Sequence, residues 1–117
     1  MSAVRKFLRR TGTVEGYTAG GYSHWCPAYE GMHAFAVYAP QRNGAQWLFD
    51  GNVDSPTFSP SKNIRVGPYP DDDEGKKGRT DVCHYFLRAG QIQFLGDCTH
   101  AMAGQTVPLP ELPARYR

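Results

Sequence analysis

No apolar run in this chain approaches the roughly 18 residues that cross a bilayer. The basic start, MSAVRKFLRR, has no apolar stretch of the kind a secretory signal carries. The sequence therefore reads as cytoplasmic, with no membrane partner. A net charge of +2 is too small to predict a nucleic-acid partner. Cysteine is scarce: Cys26, Cys83 and Cys98 are all there is. In a reducing compartment they are expected as thiols or ligands, not disulfides. There is no internal repeat, no long amphipathic helix and no G-x-S-x-G elbow, so the common hydrolase signature is missing.

What is present is turn chemistry. The chain has 117 residues, with Gly 13 and Pro 9 recurring without period, which implies many turns and short strands. The expected fold is mainly β: a single domain over 1–117, built as a small antiparallel sheet or open barrel with little helix. GTVEGYTAGGYSHWCP suggests one or two strands ending at Trp25-Cys26, HAFAVYAP a strand closed by Pro40, and AQWLFDGN a strand followed by an Asp50-Gly51 hairpin turn. SPTFSPSKNIRVGP is extended, because Ser55 and Ser59 each precede a proline. YPDDDEGKKGRTD (69–81) is expected as a mobile solvated loop, and the proline-spaced tail from 106 to 117 as a surface wrap.

The most informative stretch is CHYFLRAGQIQFLGDCTH, residues 83 to 100. With Ala89-Gly90 at the centre of a two-residue turn, Arg88 pairs with Gln91, Phe86 with Gln93, His84 with Leu95 and Val82 with Asp97. Strand alternation then puts Cys83, Tyr85 and Leu87 on a core face and His84 on the other, with Asp97 a diagonal neighbour. A carboxylate behind an imidazole is the general-base half of a serine-hydrolase triad; it is also an ordinary surface hydrogen bond. His100, three residues beyond Asp97, is a competing base.

Ser59 and Ser61, set among prolines in PTFSPSKN, are the candidate nucleophiles. Ser61 is the better placed of the two if the following residue donates to an oxyanion, since Lys62 has an amide N–H and Pro60 has none. At the other end, HWCPAYEGMH offers Cys26 and His33, which with Cys83 make three metal donors; His24 or Cys98 is available as a fourth. A C-x-x-C knuckle would need cysteine at position 29, where this chain has Tyr29.

WCPAYEGMHAF, the W-x-F-x-G of Trp47 to Gly51, PTFSPS and CHYFLRAGQIQFLGDCTHAMAGQTVPLP together resemble a family of small phage, prophage and bacterial proteins. That family is a domain of unknown function often mislabelled ammonia monooxygenase. The resemblance covers about Thr13 to Leu112. Ammonia oxidation is membrane copper chemistry, and no residue pattern here supports it. Members also occur beside bacterial ubiquitin-like proteins and their activating enzymes. The resemblance implies a deubiquitinase-like serine peptidase that processes or deconjugates a ubiquitin-like protein, with Ser61 (or Ser59), His84 and Asp97 as its set. A phage-borne copy would act in counter-defence. The family pattern reads C-P-x-C-G-x-x-H, so Tyr29 removes one expected ligand of a structural zinc.

Two readings from different classes thus stand: a serine peptidase acting on a ubiquitin-like protein, needing no cofactor, and a non-catalytic, zinc-stabilised module that binds a host or phage protein. A metal-dependent enzyme on His33, His84 and His100 has no helical or knuckle spacing behind it.

Overall fold

The computed structural model describes residues 4–11, 20–41, 43–71, 75 and 77–117. After a four-residue helix, α1 (Val4–Phe7), the described residues form eight strands: β1 (Leu8–Thr11), β2 (Gly21–Cys26), β3 (Gly31–Ala36), β4 (Leu48–Phe49), β5 (Phe58–Val66), β6 (Asp81–Arg88), β7 (Gln91–Phe94) and β8 (Thr106–Pro108). Every pairing between them is antiparallel. The fold is mainly β with little helix. Its strands divide into two sheets, ordered β1-β2-β3 and β4-β5-β6-β7-β8.

The sheets share one core. Leu8, Cys26 and Phe35 from the first sheet meet Phe58, Cys83, Tyr85, Leu87, Ile92 and Phe94 from the second. Phe35 and Phe58 stack across the gap with ring centroids 4.3 Å apart and planes 4° from parallel. Truncating either ring to alanine would remove about 3–5 kcal/mol. At Gly21 the strands approach so closely that a Cβ would sit 2.0 Å from the Phe35 carbonyl oxygen.

The β6–β7 hairpin adopts the register its sequence suggests, with Arg88 opposite Gln91 and Phe86 opposite Gln93. Ala89 (φ +48°) and Gly90 (φ +72°) are both left-handed, as a type I′ turn requires. The ladder ends at Phe94, although Leu95 N–H still reaches His84 C=O at 2.9 Å. Asp97 does not face Val82. The chain turns at Gly96-Asp97 and Thr99 takes that place, its N–H donating to Val82 C=O at 3.0 Å.

One other expectation is corrected. Asp50-Gly51 is not a two-residue hairpin; β4 and β5 are joined by residues 50–57, organised by Asp50 and Asn52 side chains accepting backbone N–H groups. The segment expected as a loop over 69–81 lies in part, at 72–74 and 76, outside the described residues; at its base Tyr69 O–H donates to Asp81 at 2.7 Å and Arg79 pairs with the same carboxylate. Thr106–Pro108 is the edge strand β8, where proline's missing N–H is tolerated, and Leu109 and Leu112 are buried.

One irregularity places the site. Phe58 pairs with Leu87 but Lys62 pairs with Tyr85, so residues 59–61 bulge where β6 offers only Phe86. Pro60 has no N–H to give the ladder, which is why the strand buckles there.

Candidate active site

The bulge returns Ser61 to the strand face that carries His84. Asn63 lies directly opposite His84, and Ser61, two residues before Asn63, shares its face. Ser61 Oγ is 3.1 Å from His84 Nε2, and His84 Nδ1 is 3.1 and 3.3 Å from the two Asp97 carboxylate oxygens. A carboxylate only accepts, so Nδ1 carries the ring proton and donates to Asp97. Nε2 then holds the lone pair and accepts from the Ser61 hydroxyl. The His84 side chain is 23% exposed and that of Asp97 52%, so solvent and ligands reach the group.

The backbone around these residues is held from several sides. His84 N–H donates to Cys98 Sγ at 3.3 Å, and the Cys98 thiol donates to His84 C=O at 3.2 Å. Trp47 Nε1–H donates to Ser61 C=O at 3.2 Å. Neither Cys98 nor Trp47 was legible as a support, because each acts through a backbone atom distant in sequence.

Of the remaining candidates, Ser59 is exposed on β5 opposite Leu48. His100 does not join His84. Its ring contacts Tyr29 and Phe94, with centroids 5.8 and 4.6 Å away, and Phe94 belongs to the core side of the hairpin. The residue two positions after Asp97 already bonds β6, so position 100 is carried past the ladder to the opposite face. Nor does the Lys62 amide face Ser61. His84 turns its peptide groups toward β7 and Cys98, so its neighbour Tyr85 faces β5, and Lys62 N–H lies in that ladder. An oxyanion beside Ser61 must find its donors elsewhere.

Behind the same strand lies a second cluster. Donor atoms of Cys26, His33 and Cys83 lie within 4.8 Å of one another. The Cys83 thiol donates toward Cys26 and, with His33, holds the Cys26 thiol down to about 4; the same pairing and burial push Cys83 up. His24 and Cys98 are engaged elsewhere, His24 with Trp25 C=O and Tyr85 O–H and Cys98 with the His84 backbone. Burial holds His24 down to about 4, so it is neutral.

Ser61 bonded to an imidazole that the Asp97 carboxylate meets from behind, on an antiparallel frame, has the arrangement of a Ser–His–acid site. The chain belongs to the BubE family, the serine proteases of the bacterial ubiquitination-like system, which matches residues 4–95. Ser61 and His84 fall inside that span and Asp97 just beyond it. No curated protein and no solved structure matches the chain. Among the described residues, no helix is long and apolar enough to cross a membrane.

Proposed function

We propose that this chain cleaves the extended C-terminal tail of a ubiquitin-like protein, with Ser61 as nucleophile, His84 as general base and then acid, and Asp97 as the group that orients His84. The observation that carries this reading is the unbroken relay from Ser61 Oγ through His84 to Asp97, each step at 3.1 Å. Ser61 attacks the scissile carbonyl as His84 takes its proton. The tetrahedral intermediate collapses to an acyl-serine as His84 protonates the leaving amine, and water then repeats the cycle.

Asn63 supports the oxyanion. It is exposed on the same face, and neither its carboxamide nor its amide N–H has a hydrogen bond among the described residues. The tail has a place to lie. β4 reaches only Ser59, so from Asn63 to Arg65 β5 presents an edge that no described strand pairs. An extended peptide added there would run past Ser61 with main-chain hydrogen bonds supplying affinity. The binding-module reading has the Cys26–His33–Cys83 cluster in its favour but leaves the Ser61–His84–Asp97 relay without a purpose.

The test is a fluorophosphonate probe followed by mapping of the adduct. The expected adduct is on Ser61, lost in Ser61→Ala and in His84→Ala and retained in Ser59→Ala. A chain that remains folded and unlabelled, or labelled at Ser59, overturns the assignment.

A further inference from the structure

β4 decides where a peptide goes once it has passed Ser61. Leu48 pairs with Ser59 and Phe49 with Phe58, so β4 closes the edge of β5 ahead of the bulge. Trp47, which leads into β4, is buried and gives its Nε1–H to Ser61 C=O at 3.2 Å. A peptide paired along 63–65 therefore cannot run straight on beyond Ser61. Its path is the outer face of the sheet, across the bulge.

That face is apolar where the peptide crosses it. Tyr85 and Leu87 point into the core, so Phe86 between them points outward with His84 and Arg88. Phe86 is half-buried, and it is the β6 residue that faces the bulge. Leu48 is 77% exposed. It stands on the same outer face, because its neighbour Phe49 packs inward against Phe58.

Arg88 adds a charge to this surface. Its guanidinium carbon lies 3.7 Å from the centroid of the Phe86 ring. The side chain is exposed and forms no ion pair among the described residues. Stacking occupies the flat face of a guanidinium and leaves its N–H edges to a carboxylate.

We propose, resting on the reading of Ser61 as nucleophile, that Phe86 and Leu48 receive a large apolar side chain on the leaving side of the scissile bond, and that Arg88 receives a carboxylate just beyond it. Phe86 is the next outward residue after His84, so its ring meets the side chain that follows the reacting carbonyl. Arg88 is the next outward residue again, which puts the carboxylate within about two residues of the first contact. The preferred leaving group thus begins with leucine, methionine or phenylalanine and carries an acidic side chain or its own free carboxyl end. An ammonium at that second place meets Arg88 with like charge and is disfavoured.

The full-length chain is first given a pool of random-sequence peptides, and the bond cut most often fixes the acyl side of a test series. Internally quenched members of the series carry Leu or Ala after the cut and then Asp, Asn or Lys, each as free acid and as C-terminal amide. Leu over Ala should raise kcat/KM about tenfold, and Asp over Asn about threefold. A gain from Asp in the amides assigns the carboxylate to a side chain; a gain from the free acids alone assigns it to the chain end. Phe86→Ala should erase most of the preference for Leu. Arg88→Glu should reverse the charge preference in favour of Lys, and as an exposed strand-end change it decides the matter should Phe86→Ala not fold. Cleavage without bias at these positions, or a bias that both variants leave intact, overturns the subsite and leaves Ser61 as nucleophile standing. A folded chain that neither cuts peptides nor takes the fluorophosphonate overturns both.

Discussion

Asn63 and His84 face each other across the β5–β6 ladder as a non-hydrogen-bonded pair, because both peptide groups of His84 point away toward Leu95 and Cys98. In such a pair the side chains stand closest, with Cα atoms about 4.5 Å apart. The side chain of Asn63 thereby shares a strand face with the imidazole and with Ser61. Asn63→Ala is expected to lower kcat about 10²–10³-fold with little change in KM, the pattern of a donor that acts only in the transition state. Steady-state kinetics on a tail-derived peptide check this; a change confined to KM would move Asn63 to substrate binding.

Asp97→Asn should preserve the fold, since the side chain is half exposed on a turn. It removes the obligate acceptor that keeps the proton on His84 Nδ1. Solvent shares the orienting task here, so a loss of about 10²–10³-fold in kcat is expected, less than for a buried acid. The rate of fluorophosphonate labelling should fall in parallel.

Acid should destabilise the chain through His24. Burial lowers its folded pKa to about 4 against the ordinary 6.5, so the unfolded chain binds the extra proton between these values. That stability is fully present above pH 6.5 and is lost as pH falls toward 4, by on the order of 3 kcal/mol. Urea unfolding midpoints measured across pH 4–7 should slope accordingly, and His24→Gln should flatten the slope.

Ala89 pays for a left-handed backbone that asparagine adopts more readily. Ala89→Asn should stabilise the β6–β7 hairpin by about 0.5–1 kcal/mol and leave fluorophosphonate labelling unchanged. Thermal unfolding measures it. A loss of stability would mean that the turn is not type I′.

Local signals made the hairpin readable: Ala89-Gly90 fixed the turn, and alternation sorted Cys83 and Tyr85 from His84. The chain beyond Phe94 was less readable, since Thr99 rather than Asp97 continues the bonding to Val82, and that choice is made by tertiary contacts. Ser61 and His84 meet only through β5–β6 pairing across the 67–80 connection, a distance that no periodicity spans. The bulge at 59–61 was written in Pro60, yet its effect on Lys62 followed from which way Tyr85 faces. His100 was misplaced for the same reason. Three residues along a turn can carry a side chain from one face of a hairpin to the other.

The brevity of β4 has one more consequence. Two residues suffice to start the sheet, but no described strand covers the flank of β5 just past Ser61, and uncovered flanks recruit whatever extended chain is most abundant. In concentrated solution that chain is a second molecule of the same protein. Edge-to-edge pairing of two copies would cover the β5 edge of both at once, making crowding itself an inhibitor that dilution relieves.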